Sequence, residues 1–425
     1  MHATLDDWLA RLQTQHPQAI ALGLERIRAV AARMQLARPA PRVVVVGGTN
    51  GKGSTVAFVE AIARAHGWRT GAYTSPHLRR YSERVRIDGR EAEDAALVAG
   101  FEAVEAARGE IPLTYFEHGT LAALWLFARA GLDLAVLEIG LGGRLDAVNL
   151  VDADVAVITT VDLDHQDWLG PDIERIGYEK AWIARPGRPL VLGDDDPPAS
   201  VLRHAYAIGA QAWRIGCDFF AEPLDAARWR WREVGFALEL PRPALAAPVQ
   251  LRNAACAIAA LRALDAEEAI APEAYAAGIA GARIAGRLQR CVRDGVEIVV
   301  DVGHNPQAAR ALADWLRAQP PRPTRAVLAV LADKDAAGLV APLAAQIVGW
   351  HLADSTAAGR RGQDADALAA ALAATPAARG TRHADVAAAL DAACAAAGGG
   401  GRVLVYGSFH AAAAALQELE AATLG

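Results

Sequence analysis

Residues 42–65, "RVVVVGGTNGKGSTVAFVEAIARA", set an apolar run, a glycine-rich turn and a helical stretch in direct succession. The run reads as a buried strand. Beyond the turn, Val56, Val59, Ile62 and Ala63 recur at helical spacing on one face. A strand, a tight turn and a helix N-terminus form the setting in which backbone N–H groups cradle phosphate. Yet the turn departs from the usual pattern. Counting back from Lys52, the first glycine would fall at Val46, and Gly53 follows the lysine where a hydroxyl normally holds Mg²⁺. A glycine-rich turn carrying a solvated lysine is the plain alternative.

Outward from this stretch, short apolar runs alternate with helical segments, the mark of an α/β protein with mostly parallel sheets. The expected strands of the first half are "RVVVVGG", "LDLAVLEIG", "DVAVITTV" and "RPLVLGD". Around residues 205–250 the pattern weakens into short alternations holding Trp213, Trp229 and Trp231, then Pro241, Pro243 and Pro248, which predicts a small β-rich elaboration. The helix "NAACAIAALRAL" follows, and "GARIAGRLQRCVRDG" (281–295) reads as a linker. Strands then resume with "VEIVVDVG", "RAVLAVLAD", "AAQIVGWHLA" and "GRVLVYGS". The predicted division is a larger domain over 1–285 and a smaller α/β domain over 286–425.

The chain has 425 residues, 53% hydrophobic and 22% charged, with a formal charge of −6. An acidic balance argues against an extended nucleic-acid surface, which needs a basic field. The opening "MHATLDDWLARLQ" carries acids and no long apolar core, so no secretory signal is expected. No apolar run approaches the ~20 residues needed to span a bilayer. Cys217, Cys256, Cys291 and Cys394 are scattered, as ordinary thiols of a reducing compartment would be. The expected location is the cytoplasm.

A nucleotide site also needs a carboxylate near its metal. Glu138 ends an apolar strand, where ligands of open α/β sheets gather. His165 lies between Asp164 and Asp167 in "TTVDLDHQDWLG", after the next strand. The missing hydroxyl has two candidate sources, Ser54 and Ser75, and spacing alone leaves the choice open.

Eight ordered stretches carry a resemblance: "GTNGKGST", "TSPHLRRYSERVRI", "TYFEHGTLAALWLF", "LEIGLGGRLDAVN", "DHQDWLG", "YEKAWIAR", "DVGHNP" and "YGSFH". Together, across residues 47–410, they resemble the folylpolyglutamate synthase/dihydrofolate synthase family of the Mur-type amide ligases. The resemblance implies a P-loop ATPase-type N-terminal domain with a mostly parallel sheet, which also binds pteroate. It further implies a Rossmann-like C-terminal domain that binds glutamate. Asn50, Gly51, Lys52, Gly53 and Ser54 would hold ATP phosphates, with Asn253, Arg287 and Asp301 as further ATP contacts. Ser75, Glu138, His165 and a carbamylated Lys180 would hold Mg²⁺, expected as two ions, and Lys52, His165 and Lys180 would be the catalytic residues. The pteroate would meet Leu22, Gly23, Leu24, Glu25, Thr114, Tyr115, Phe116, Glu117, Leu145, Asp146 and Ala147. Glutamate would meet Arg84, His304 and Ser408. The segment "DSTAAGRRG" (354–362) replaces the proline-arginine-glycine stretch of related enzymes and receives no ligand.

The implied chemistry is ligation of L-glutamate to dihydropteroate and to folates through an acyl phosphate, with small-molecule partners and a monomer as the acting species. Two other readings compete with it. A sister ligase acting on a cell-wall precursor would be expected to bring a further N-terminal domain. A non-enzymatic ATP-dependent switch would need no second substrate pocket, against which "TYFE" and "DVGHNP" speak.

Overall fold

The computed structural model describes residues 3–424 apart from 17, 19 and 265–268. Two compact units divide the chain: Met1–Ala244 with Gln250–Arg283, and Leu245–Val249 with Ile284–Gly425.

Eight strands form the main sheet of the first unit: β1 (Arg42–Gly47), β2 (Thr70–Tyr73), β3 (Val85–Ile87), β4 (Arg90–Glu91), β5 (Leu134–Glu138), β6 (Val155–Ile158), β7 (Pro189–Leu192) and β8 (Gln211–Arg214). Their order is β4-β3-β2-β5-β1-β6-β7-β8. All neighbours are parallel except β2–β3 and β3–β4. Val43 to Val46 are all buried, because β1 is covered on both faces and so carries no polar alternation. In register, Val46 stands opposite Glu138 of β5, and Gly47 opposite Ile158 of β6. The glycine turn and Glu138 therefore leave the sheet at the same edge.

The helix Lys52–His66 buries more than the one face its periodicity marks, since Ala57 and Phe58 are buried as well. It packs on the sheet and also on the helix Pro272–Gly281. At that crossing a Cβ on Gly278 would lie 2.5 Å from the Ile62 Cα, so only glycine lets the two backbones approach.

The β-rich elaboration is an antiparallel sheet of β9 (Phe219–Pro223), β10 (Arg228–Glu233) and β11 (Phe236–Pro241). Trp229 and Trp231 alternate with arginines along β10 and are fully buried, as period-two alternation over a half-covered sheet requires. Trp231 Nε1 donates to the Ala255 carbonyl at 3.1 Å, which ties this sheet to the helix Val249–Ala263. Trp213 lies outside it, in β8 of the main sheet.

The second unit holds β12 (Gln289–Arg293), β13 (Val296–Val300), β14 (Thr324–Leu328), β15 (Ile347–Ala353), β16 (Thr381–His383) and β17 (Arg402–Tyr406), ordered β12-β13-β17-β14-β15-β16. The linker expected over 281–295 is corrected here. Its second half is β12, antiparallel to β13 across a hairpin whose Asp294 and Gly295 take φ of 52° and 75°. Asp-Gly is the dipeptide that such a two-residue turn selects. Polar residues in β12 hid the strand, because an edge strand need not be apolar.

Acid should loosen this protein. Burial pulls His118 and His351 down to about 4. For both groups burial is the leading cause; the Phe101 carbonyl partly opposes it at His118, and neighbouring His383 and Arg325 add to it at His351. In the unfolded chain each would titrate near 6.5, so the unfolded state binds more protons between pH 6.5 and 4. Their contribution is therefore complete above about pH 6.5 and is lost as pH falls through that window, at up to ~1.4 kcal/mol per pH unit for each group. Urea midpoints measured from about pH 7.5 to about 4.5 should fall chiefly below pH 6.5, partly offset by Asp146, whose raised pKa favours the folded state as it takes up a proton, and His118→Gln should flatten the fall.

Candidate active site

The glycine turn is built for a close approach. Gly48 and Gly51 have φ of +143° and +87°. A Cβ on Gly48 would lie 1.9 Å from Thr159 Oγ1, and one on Gly51 2.4 Å from Asn253 Oδ1. Neither position admits a side chain. The turn is laced to the segment after β6: Thr159 Oγ1 donates to the Asn50 carbonyl at 2.6 Å, and Asn50 N–H donates to Thr160 Oγ1 at 3.0 Å. Thr49 N–H adds a bond to the Thr160 carbonyl at 2.8 Å. The helix that follows starts at Gly51 with no side-chain cap, so its first-turn N–H groups remain for an anion. Lys52 arches back over the turn, donating from Nζ to the Gly48 and Thr49 carbonyls, both at 3.1 Å.

The two candidate hydroxyls differ in their surroundings. Ser54 is buried, and its Oγ accepts from Gln250 Nε2 at 3.3 Å. Gln250 in turn accepts from Asn253 Nδ2 at 3.0 Å, so one buried chain of amides runs from the turn to the helix Val249–Ala263. Ser75 follows β2, and its N–H donates to Glu138 Oε2 at 3.1 Å. Ser75, Glu138 and the turn thus stand at the carboxyl ends of β2, β5 and β1, which are neighbours. His165 follows β6 with φ of 51°, and its N–H donates to Asp164 Oδ1 at 2.8 Å.

Charge is concentrated behind this edge. Lys180, in the last turn of the helix Ile173–Ala181, is 4% exposed. Burial, together with the charge of Lys52, brings its ammonium down to about 7, against the pull of Asp164 and Asp146. Burial likewise lifts Asp146 to about 7, opposed by the N–H groups of Leu141, Val148 and Gly140 and by Lys52. Lys52, Asp146, Asp164 and Lys180 therefore share one electrostatic field. Among the described residues no three His, Cys, Asp or Glu side chains form a ready metal site. The donor set implied by the sequence draws only Glu138 and His165 from those types. A cationic Lys180 does not fit beside a metal ion, whereas its carbamate would, as a hard oxygen donor.

The three expected pteroate segments meet in space. Gly23 N–H donates to the Leu145 carbonyl at 3.4 Å, and Arg26 forms an ion pair with Glu117 at 2.9 Å. Leu24 and Ala147 are core residues, whereas Leu22, Tyr115, Phe116 and Leu145 are half-buried and keep accessible apolar surface. Phe116 covers Gly140, where a Cβ would lie 2.5 Å from the ring. Glu25 is exposed at the start of the helix Glu25–Arg33. Thr114 and Glu117 carry a task that the sequence reading missed: they form the capping box of the helix Tyr115–Phe127. The spacing T-x-x-E was the available signal.

Arg84 belongs to the first unit; His304 and Ser408 belong to the second. In the second unit Asp301 and Ser408 follow β13 and β17, adjacent parallel strands, and the Gly407 N–H donates to the Gly303 carbonyl at 2.9 Å. Asp301 is buried and accepts from Leu288 N–H at 2.9 Å and Gly303 N–H at 2.7 Å. Burial raises its pKa, while the nearby Arg287 and those two N–H groups, with His304, pull it down. The His304 ring lies 5.8 Å from that of Phe409, and Ser408 Oγ donates to the Ala329 carbonyl at 2.7 Å.

Comparison with known proteins identifies the family. Residues 46–261 match the Mur ligase middle domain, and residues 286–409 the Mur ligase glutamate ligase domain. The dihydrofolate synthase/folylpolyglutamate synthase of Escherichia coli K12 is 44% identical over 99% of this chain and 97% of its own length. The structure of E. coli FolC in complex with DHPP and ADP superposes with a TM-score of 0.93 at 43% identity, covering 99% of both chains. A bifunctional folylpolyglutamate synthase/dihydrofolate synthase with Mn, AMPPNP and L-glutamate bound gives a TM-score of 0.90 at 43% identity, covering 98% of both. Among the described residues no helix is long and apolar enough to cross a membrane. The chain belongs to the dihydrofolate synthase/folylpolyglutamate synthase family of Mur ligases.

Proposed function

We propose that this chain, as a cytoplasmic monomer, uses ATP to join L-glutamate to dihydropteroate and to tetrahydrofolate polyglutamates. Residues 1–285 bind ATP and the pteroate, and residues 286–425 bind glutamate. The observation that carries the reading is the uncapped glycine turn beside Ser75 and Glu138 at one sheet edge, with Lys52 and Lys180 in a shared field.

Direct attack of an amine on a carboxylate fails because an oxide is a poor leaving group. Transfer of the γ-phosphoryl of ATP to the pteroate carboxylate gives an acyl phosphate and ADP. The glutamate amine then attacks the acyl carbon, the amide C–N bond forms and phosphate departs. Asn50 to Ser54 hold the phosphates, from Gly51 onward through their backbone N–H groups, while Lys52 swings from its own turn's carbonyls to the transferring phosphoryl, where negative charge must be spread. Asn253, Arg287 and Asp301 contribute to ATP binding. Leu22, Tyr115, Phe116 and Leu145 offer apolar surface to the pteroate, and Asp146, poised near neutrality, can hydrogen-bond it as donor or acceptor. Arg84, His304 and Ser408 take glutamate. Magnesium, held at Ser75, Glu138, His165 and carbamylated Lys180 as two ions, would offset phosphate charge when bound.

ADP release measured with and without dihydropteroate and glutamate tests the function. Release that depends on both substrates is expected. Release without either would mark a nucleotide switch, and release that depends instead on a cell-wall peptide precursor would mark the sister ligase.

Ser75, not Ser54, should be the metal-binding hydroxyl, because Ser54 already accepts a bond from Gln250 whereas Ser75 adjoins Glu138. Ser75→Ala should raise the Mg²⁺ concentration for half-maximal activity by ~10–100-fold, the scale seen when a metal site loses support. Ser54→Ala should change it far less. The reverse order would transfer the role to Ser54.

A further inference from the structure

The turn between Ser75 and Arg84 is organised by two side chains outside the sites described so far. The Glu83 carboxylate accepts from three backbone N–H groups, those of Leu78 at 2.7 Å and of Arg79 and Arg80 at 2.8 Å. Its backbone carbonyl accepts from Thr74 Oγ1 at 3.3 Å, while Thr74 N–H donates to the Arg84 carbonyl at 2.9 Å. Residues 74–84 thus close into a ring whose first and last members are bonded to each other. Arg84, at the end of that ring, is 8% exposed. Its Nε donates to His77 Nδ1 at 2.8 Å, and its guanidinium carbon lies 5.5 Å from the Tyr81 ring and 5.6 Å from the Tyr115 ring.

A guanidinium can grip a carboxylate through either of two edges: Nε with one Nη, or Nη1 with Nη2. His77 occupies Nε, which removes the first edge. The remaining edge is the end-on fork of Nη1 and Nη2.

We propose that His77 and Glu83 are positioning residues for Arg84, holding it so that it receives a substrate carboxylate end-on. The identity of that carboxylate as glutamate's rests on the reading above; the positioning itself does not.

The test is steady-state kinetics on H77F, H77N, E83Q and R84A, with KM determined for glutamate, dihydropteroate and ATP, and a thermal midpoint for each variant. H77F keeps the ring that packs edge-on to Tyr81 at 5.9 Å but lacks the acceptor, whereas H77N offers an amide oxygen. R84A should raise the glutamate KM by ~10–100-fold, as loss of a charged hydrogen-bonding partner does. H77F and E83Q should raise the same KM by ~3–10-fold with kcat and the other two KM values within about twofold, and H77N should recover part of the loss. Combining H77F with R84A should be no worse than R84A alone. Should E83Q not fold, Glu83→Asp, which keeps the charge but shortens its reach, is scored in the same way.

If R84A raises another substrate's KM, the glutamate assignment fails, and the positioning proposal stands only if H77F and E83Q follow that substrate. The proposal is overturned if R84A moves no KM. It is equally overturned if H77F leaves the affected KM unchanged, if H77F and H77N behave alike, or if the variants lower only kcat and the thermal midpoint.

Discussion

Lys52→Ala lowers kcat for glutamate ligation by ~10²–10³-fold, the usual loss when one donor to a developing anion is removed, and leaves the protein folded. The fold should survive because the turn does not depend on this side chain. Its hydrogen bonds run to two carbonyls of its own turn. The turn is held instead by Thr159 and Thr160 and by the packing of Asn253 against Gly51. A thermal midpoint close to that of the parent is the expected control. A second effect follows from charge. Lys52 pulls down both Asp146 and Lys180, so its loss should raise the pKa of each. The residual activity of the variant should therefore need a higher pH. A variant with near-parental turnover would take Lys52 out of phosphoryl transfer.

How much of this site could be read from the chain alone follows from the kind of signal each part leaves. β1, β5 and β6 were legible because strands buried on both faces must be apolar throughout, as Val43 to Val46 are. Glu138 was legible for the converse reason, as the charge that ends such a run. Thr159 and Thr160 left no signal, since two threonines after a strand say nothing of which turn they will hold. Gln250 was equally silent: its value lies in Ser54 and Asn253, and Ser54 is 196 positions away. The charge state of Lys180 depends on burial and on Lys52, Asp164 and Asp146, which only the folded chain assembles. β12 was missed because Gln289, Arg290 and Arg293 mask an edge strand, although Asp294-Gly295 marked its hairpin. Long-range polar contacts and edge strands are thus where local pattern runs out.

Lys180→Ala should abolish ligation to a similar degree, by roughly 10²-fold or more, and short carboxylic acids such as formate or acetate should restore part of the activity. The argument begins with burial. An ammonium 4% exposed, facing the like charge of Lys52, is brought down to about 7, so near neutral pH much of the amine is free of its proton. That is the form which attacks CO₂: the nitrogen bonds to carbon, a proton leaves, and a cation becomes an anionic carbamate. The change of sign matters at this position. A cation there would repel a metal ion, whereas a carbamate would offer it oxygen, and in the alanine variant a small acid could supply the same oxygen in the vacated space. Enzyme depleted of CO₂ should therefore lose activity and regain it on addition of bicarbonate. Recovery should be faster as pH rises through about 7, because deprotonation of the amine precedes carbamate formation. Native mass spectrometry should find one added CO₂ in active enzyme and none in Lys180→Ala. Fully active, CO₂-depleted protein with an unmodified lysine would remove the carbamate from the mechanism and leave Lys180 as a buried, unmodified amine.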